Sequence, residues 1–331
     1  MVFKTLFWGL LIEIIMKQIL CLLLISIIIG NVFSQKTRSV AFYNVENLFD
    51  TIDGPNDDAE FLPAAKNQWN AARYEEKLTH IREVLLAMGK PLVCGFSEVE
   101  NAAVVRAIIA NQEAFKSYGI VHYESPDARG IDVALIYDSC KLNLIDSKAI
   151  RFVLPGETKP TTRDILWAQF KYKKQPFYVM LNHWPSRRGG TDESDDKRVA
   201  AAKIACNFID SIQKANGYPI IFLGDLNDHP ENNAPKLIDE RLDPMITKES
   251  GPTKGTHFYN NEWGILDHIY VSANFIGKKN GVIANSGQIH NFPFLMEEYK
   301  GNIQPKRTYG GSKYLGGYSD HLPVSIQLNI K

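Results

Sequence analysis

Short apolar runs alternate with amphipathic stretches along residues 36–331, and no repeat or low-complexity segment interrupts them. Runs at 40–43, 92–96, 131–137, 165–172, 177–181, 220–223, 269–271 and 324–328 are β-branched, aromatic or leucine-rich and predict strands. Leu78, Ile81, Leu85 and Met88 recur at helical spacing and predict an amphipathic helix over 74–88. A second helix is predicted around 104–109 and a long, alanine-rich one over 196–214. This mixture predicts an α/β sandwich, with sheets in the middle and helices outside.

Several of the apolar runs stop at groups able to bind a metal or move a proton. Phe42-Tyr43 leads to Asn44, and Val93 and Phe96 lead to Glu98. Val179-Met180-Leu181 leads to Asn182-His183, Ile221-Phe222-Leu223 to Gly224-Asp225-Leu226-Asn227, and Ile265-Leu266 to Asp267. A strand leaving a core delivers its last side chains to one edge on a rigid base, where active sites of α/β proteins are often built. One such ending is a common turn; five in one chain are hard to attribute to turns alone.

Each constellation has a chemical and an ordinary reading. Glu98 is a natural hard-cation ligand, since Mg²⁺ takes one or two protein carboxylates plus water; alone, it reads equally as a cap of the helix that follows. Asp225 and Asn227 alternate in an extended segment and so share a side, pairing a proton acceptor or orienter with a neutral donor; the other reading is an Asx-rich turn. In Ser319-Asp320-His321, adjacent side chains of an extended segment diverge, so one reaches a metal and the other an attacking water. His321 suits general-base work near neutrality, with Asp267 the candidate to fix its tautomer. His183 sits beside Trp184, Arg187, Arg188 and a Gly pair, and either arginine could clamp a phosphate in a bidentate way; an exposed basic loop is the alternative. Arg129 and Arg163 begin strands that could reach the same edge. The remaining histidines have weaker context and are read as structural or surface residues.

Composition changes the picture mainly at the N-terminus. Residues 19–30 form an apolar run preceded by Lys17, too short to span a bilayer comfortably and fitting a secretory signal. Cleavage before Gln35 is predicted, with Met16 the suspected true start; an uncleaved anchor is the alternative. This divides the chain into a signal peptide, 1–34, and a single domain, 35–331, exported to the periplasm or beyond and free of a stable membrane partner. The whole chain carries 37 basic and 37 acidic residues. Such balance does not describe a nucleic-acid coat protein, but a nuclease needs only a local positive groove. Cys94, Cys140 and Cys206 are scattered and form neither a disulfide framework nor a metal-ligand spacing; all three read as small apolar residues within strands or helices.

Taken in order, from Phe42-Tyr43-Asn44-Val45-Glu46-Asn47 through Gly224-Asp225-Leu226-Asn227 to Ser319-Asp320-His321-Leu322-Pro323, these stretches resemble the endonuclease/exonuclease/phosphatase superfamily. That superfamily includes deoxyribonuclease I, exonuclease III-type repair enzymes, bacterial sphingomyelinases and inositol polyphosphate 5-phosphatases. The chain is similar in particular to secreted Bacteroidota-type members with Asn-Val-Glu-Asn-Leu-Phe and Asn-His-Trp-Pro-Ser-Arg-Arg stretches. The resemblance implies a four-layered α/β sandwich, two mixed β-sheets packed face to face with outer helices. It implies a metal-dependent phosphodiesterase using Mg²⁺ or Mn²⁺, with Ca²⁺ as a structural ion in some secreted members. Asn44, Glu98 and Asp320 would stand at the metal; Asp225 and Asn227 would sit on the attacking water and phosphoryl oxygens. Asp267 would orient His321, and His183 or a metal-bound water would protonate the leaving oxygen, with Glu124 and Asp127 both open as the carboxylate partner of His183. Arg129, Arg163, Arg187 and Arg188 would contact substrate. The expected substrate is DNA or RNA, cleaved by a monomer. The alternatives are a lipid head group or inositol phosphate and, less favoured, a non-catalytic binding protein on the same scaffold.

Overall fold

A computed structural model describes residues 37–187 and 189–330. The signal-peptide reading and Arg188 therefore lie outside the described residues.

The first six-stranded sheet contains β1 (Thr37–Leu48), β2 (Val93–Val99), β3 (Tyr118–His122), β4 (Asp132–Asp138), β13 (Gln288–Ile289) and β18 (Val324–Asn329), in the order β13-β18-β1-β2-β4-β3. The second contains β5 (Asn143–Ile150), β6 (Ile165–Tyr172), β7 (Gln175–His183), β8 (Ile220–Asp225), β9 (Asp243–Pro244) and β12 (Asp267–Val271), in the order β5-β6-β7-β8-β12-β9. Both are mixed: β1 runs parallel to β2 and β7 to β8, and the other pairs are antiparallel. The inner faces supply one large buried cluster, with Phe42, Phe96, Leu181, Leu223 and Ile326 fully buried. The two sheets meet closely at Gly95 of β2, where a Cβ atom would lie 2.6 Å from Leu223 Cδ1 and 2.7 Å from Leu181 Cδ1.

Helices cover the outer faces. α1 (Ala71–Ala87) and α2 (Ala102–Ile109) pack on the first sheet through Leu78, Ile81, Leu85, Val104 and Ile108. Each is capped by an asparagine: Asn70 accepts from the backbone of Ala72 and Arg73, Asn101 from Ala103 and Val104. α3 (Thr191–Ala215) and α4 (Asn233–Asp239) cover the second sheet, where Ala201, Ala205 and Ile209 meet Met180 and Phe222. The result is the four-layered α/β sandwich expected. Three hairpins edge it: β10 (His257–Tyr259) with β11 (Glu262–Gly264), β14 (Met296–Tyr299) with β15 (Asn302–Pro305), and β16 (Tyr309–Gly310) with β17 (Lys313–Tyr314).

One expectation needs correction. Cys140 is exposed in a turn after β4, not within an element, whereas Cys94 and Cys206 are buried. Strands β3 and β5 carry no apolar alternation strong enough to read: β5 is an edge strand whose residues are exposed or half-buried. Trp184, beside His183, is 1% exposed and packs against Phe222.

Candidate active site

Irregular pairing aims the site residues. Asn44 of β1 lies opposite Ser97 of β2, but the next paired positions are Leu48 and Val99. Three residues of β1 therefore face Glu98 alone. On the other side of β2, Ser97 opposes Val133 and Val99 opposes Asp132, leaving Glu98 without a ladder partner there too. Such a bulge turns its extra residue out of the alternation. Glu46, Asn47 and Glu98 sit at φ of 52°, 57° and 63°, a left-handed conformation that costs a non-glycine residue roughly 1–2 kcal/mol. Local bonds offset it: Glu98 Oε2 accepts from the Asn47 amide at 3.1 Å, and Asn44 Oδ1 from the Glu46 amide at 3.0 Å.

On the second sheet, β7 and β8 end side by side and β12 begins beside them, so His183 pairs in register with Asp225 and Asp225 with Asp267. Gly224 is required here: its φ is 151°, and a Cβ would lie 2.1 Å from the Asn182 carbonyl oxygen. Asn227 does not continue the extended segment. At φ 50°, its amide donates to Asp225 Oδ1 at 2.8 Å and its Nδ2 to the Trp184 carbonyl at 3.0 Å. The segment is both an Asx turn and part of the site.

The two sheet edges bring one constellation together. His321 Nδ1 lies 2.8 Å from Asp267 Oδ2, and its Nε2 faces Asp225 Oδ2 at 3.9 Å. Asn44 Nδ2 donates to Asp225 Oδ2 at 3.0 Å and to Glu98 Oε1 at 3.3 Å. His183 Nε2 stands 3.7 Å from Asp225 Oδ2 and 4.0 Å from Glu98 Oε1. Gaps of this length between polar atoms have room for a water or a phosphoryl oxygen. The group opens into a cleft of about 1200 Å³ that also exposes Arg129, Arg187, Arg307 and Asp320.

The electrostatics assign different states to the two histidines. Burial opposes charge on His321, but Asp267, Asp225 and Asp320 outweigh it and raise its pKa well above the ordinary value. His183 is pushed well below the ordinary value, by burial and then by Arg163, Arg129 and His321. Its Nδ1 is buried with no hydrogen-bond partner among the described residues. Neither expected carboxylate reaches it: Asp127 pairs with Arg163 at 2.9 Å, and Glu124 lies 3.9 Å from His122. A neutral His183 can donate a hydrogen bond from Nε2 but holds no spare proton, which argues against the leaving-group role. His183→Ala should therefore cost similar factors on p-nitrophenyl and nucleotide leaving groups; a far larger loss on the nucleotide would restore that role.

The site residues differ in fit to a divalent cation. Glu98 and Asp225 present hard oxygen donors that converge on one point, the Asn44 amide, and burial raises the Asp225 pKa to about 7. Charge of that kind is relieved by a cation. Asn44 turns its NH₂ to these acids and its oxygen inward, so in this orientation it positions them and is not itself a ligand. Asp320 pairs with Arg307 through one oxygen, Nη2 to Oδ2 at 2.6 Å, and lies with His257 and His321 in a second group whose donor atoms could hold a cation.

Of the four arginines read as substrate contacts, Arg163 is a buried tether, bonded to Asp127 and to the Trp184 carbonyl. Arg129 is exposed at the cleft, and Arg187 lines it while bonded to His229. Sequence reasoning missed four residues. Glu46 accepts from the Thr308 amide at 2.6 Å, and burial and Asp320 raise its pKa to about 7. Lys77 lies beneath, bonded to Thr308 Oγ1 and the Tyr318 carbonyl. Arg307 comes from the β15–β16 link. His257 sits 4.7 Å, ring centre to ring centre, from His321. Glu46 alone carried a signal, lying in the Asn-Val-Glu-Asn stretch.

The two raised carboxyl groups set a pH dependence. Asp225 and Glu46 keep protons in the folded protein up to about pH 7, but an unfolded chain releases them near pH 4. Folded stability therefore falls as pH rises from about 4 through 7. His321 acts in the same direction: its stabilisation is complete below about 6.5 and is lost as pH rises through its raised pKa. His257, His268 and His290, lowered to about 4, offset this only below about 6.5. The Tm of chelated protein should drop between pH 6.5 and 8, and a divalent ion should restore more at pH 8. An ion-induced shift equal at both pH values would contradict this linkage.

A model of the Endonuclease/Exonuclease/phosphatase family matches residues 39–330. No curated protein matches the chain in sequence. Among solved structures, an endonuclease/exonuclease/phosphatase family protein from Bacteroides thetaiotaomicron is similar at 16% identity and TM-score 0.58, covering 88% of this chain and 98% of its own. A mannosyl-6-phosphatase from the same organism is 17% identical at TM-score 0.58, covering 88% and 99%. TDP2 from D. rerio, complexed with a single-strand DNA product, is 16% identical at TM-score 0.55, with the same coverage. At these identities the likeness establishes the fold.

Proposed function

Because the chain belongs to the endonuclease/exonuclease/phosphatase family, whose members are metal-dependent phosphoric-ester hydrolases, we propose that it is an exported nuclease that cleaves phosphodiester bonds of DNA or RNA. The observation that carries the reading is the joined set Asp267–His321–Asp225–Asn44–Glu98 at the floor of a cleft edged by Arg129, Arg187 and Arg307.

The chain's own groups divide the work. Asp225 Oδ2 and His321 Nε2 lie 3.9 Å apart, a spacing at which one attacking water to the side of both can bond to each. His321, aligned by Asp267, takes its proton; a cation beside Asp225 would offset the carboxylate charge that raises the His321 pKa and so favour the unprotonated ring that this step needs. His183 and Asn44 offer neutral N–H groups to phosphoryl oxygens as charge develops. A divalent cation at Glu98, beside Asp225, would shield phosphate charge and polarise the scissile group. Arg129 and Arg187 lie to the sides of this centre, where phosphates flanking the scissile one would pass.

A nucleic-acid chain suits a cleft of about 1200 Å³, larger than the roughly 300–1,000 Å³ of a small-molecule site. A similar fold is recorded with a single-strand DNA product. A sugar phosphate is the second reading, favoured by the acids Asp57 and Glu60 at the same cleft and by the mannosyl-6-phosphatase of similar fold. A lipid head group is disfavoured: Phe292, Phe294 and Met296 pack on the main core and do not form a docking surface. The deciding experiment is a metal-supplemented panel of plasmid DNA, single-stranded RNA, sphingomyelin and mannose 6-phosphate. Cleavage of the nucleic acids is expected. Arg187→Ala with Arg188→Ala should weaken it and flatten its salt dependence. Turnover of sphingomyelin or the sugar phosphate with both nucleic acids left intact would refute the reading.

A further inference from the structure

A second cavity, of about 460 Å³, opens beside the catalytic cleft and shares Arg187, Thr191, His257 and Tyr259 with it. We propose that this cavity is a nucleoside subsite, receiving the base and sugar next to the scissile phosphate; the proposal rests on the nucleic-acid reading above.

The cavity adjoins the hairpin that touches the catalytic base. Its wall is the β10–β11 hairpin, which forms a β-bridge between His257 and His321. Gly264 on that hairpin leaves space for His229, since a Cβ there would lie 2.2 Å from His229 Cε1. His229 Nε2 faces Arg187 Nη1 at 2.9 Å. Burial and the Arg187 charge lower the His229 pKa, which keeps the ring a neutral acceptor for that bond. Arg187 spends one of its five N–H donors there and is held at the junction of cleft and cavity, where a phosphate would join the two.

The lining does not suit a run of phosphates. Two carboxylates, Glu231 and Glu262, stand against two cations, Arg187 and Lys248. The near-neutral wall offers a polyanion no net attraction. It suits the uncharged part of a nucleotide: carboxylates and Asn260 can accept from hydroxyl and exocyclic amino groups. Tyr259, 65% exposed, supplies an open aromatic face, and stacking on such a face tolerates any base. The volume falls within the range of small-ligand sites, roughly 300–1,000 Å³. Phosphates of the remaining chain would leave along the other side of the cleft, past Arg129.

The test compares wild type, Tyr259→Ala and Tyr259→Phe of the mature protein with Mg²⁺ or Mn²⁺. The substrates are the p-nitrophenyl phosphates of thymidine, linked at the 3′ or the 5′ oxygen, and methyl p-nitrophenyl phosphate. Wild type should prefer at least one thymidine ester over the methyl ester, and the isomer preferred identifies which side of the scissile phosphate enters the cavity. Tyr259→Ala should reduce that preference about 10-fold, through KM, while Tyr259→Phe retains it. Equal losses on all three esters, or a preference undiminished in Tyr259→Ala, would overturn the subsite. An enzyme that cleaves DNA yet shows no thymidine preference would sink the subsite alone. One that hydrolyses the methyl ester but neither nucleic acid would remove the reading beneath it.

Discussion

Replacing His321 by alanine should lower kcat/KM for phosphodiester hydrolysis by about 10²–10⁴-fold, the usual loss when a positioned general base is removed. The expectation follows from geometry. His321 is buried, its Nδ1 lies 2.8 Å from Asp267, and its Nε2 faces Asp225 across a 3.9 Å gap. No other described residue has both a carboxylate to fix its tautomer and a second nitrogen aimed at that gap. Burial, Arg163 and Arg129 push the His183 pKa well below the ordinary value, so it is too weakly basic to take over the proton. Asp267→Asn should fall between wild type and His321→Ala, because an amide keeps a partner near Nδ1 but removes the charge that favours imidazolium. Steady-state kinetics on a dinucleotide checks both. Loss confined to KM in His321→Ala would mean that the residue binds substrate and does not move a proton.

Glu98→Gln should raise the divalent-ion concentration needed for half-maximal activity by at least ~10–100-fold, a loss already typical of residues that only support a ligand. The carboxylate is aimed by a double register irregularity, held by the Asn47 amide, and brought beside Asp225 through Asn44. Glutamine preserves the shape and the backbone bond but removes the charge. The same variant should lose the thermal stabilisation that added Mg²⁺ or Mn²⁺ gives wild type, a readout independent of turnover. Glu98→Gln that matches wild type in both measurements would move the cation elsewhere, with Asp320 the next place to look.

Much of this site could be read in the sequence because strand endings are local. Leu223-Gly224-Asp225 and Leu181-Asn182-His183 signal buried strands that end in chemistry, and the structure carries both to one edge. The family-specific order of those endings supplied the sandwich. What stayed hidden depends on distant contacts. Nothing near Asp320 in sequence indicates that Arg307 would pair with one of its oxygens. Asp225 and Asn227 were expected to share a side by simple alternation, but Asn227 adopts a left-handed turn closed by the Asp225 carboxylate. Arg163 looked like a strand opening and proved a buried tether beneath His183, since its partner Asp127 arrives from a separate loop. Helix α3 begins at Thr191, before the predicted 196, because the first turn is polar and shows no apolar periodicity. His257 enters the site only through a hairpin bridge to His321, a pairing with no sequence period.

The central claim is that a divalent cation and the Asp267–His321–Asp225 group act together on a phosphodiester. Its most direct test follows cleavage of a labelled dinucleotide by wild type and His321→Ala, each stripped by chelation and then titrated with Mg²⁺ or Mn²⁺, with ion binding recorded on the same samples by thermal shift. The account predicts that stripped wild type is inactive and recovers with added ion. It predicts that His321→Ala binds the ion, as its thermal shift shows, yet remains at least about 10²-fold slower at saturation. Cleavage by wild type that persists under chelation, or a His321→Ala variant restored to wild-type rate by the ion alone, would contradict it.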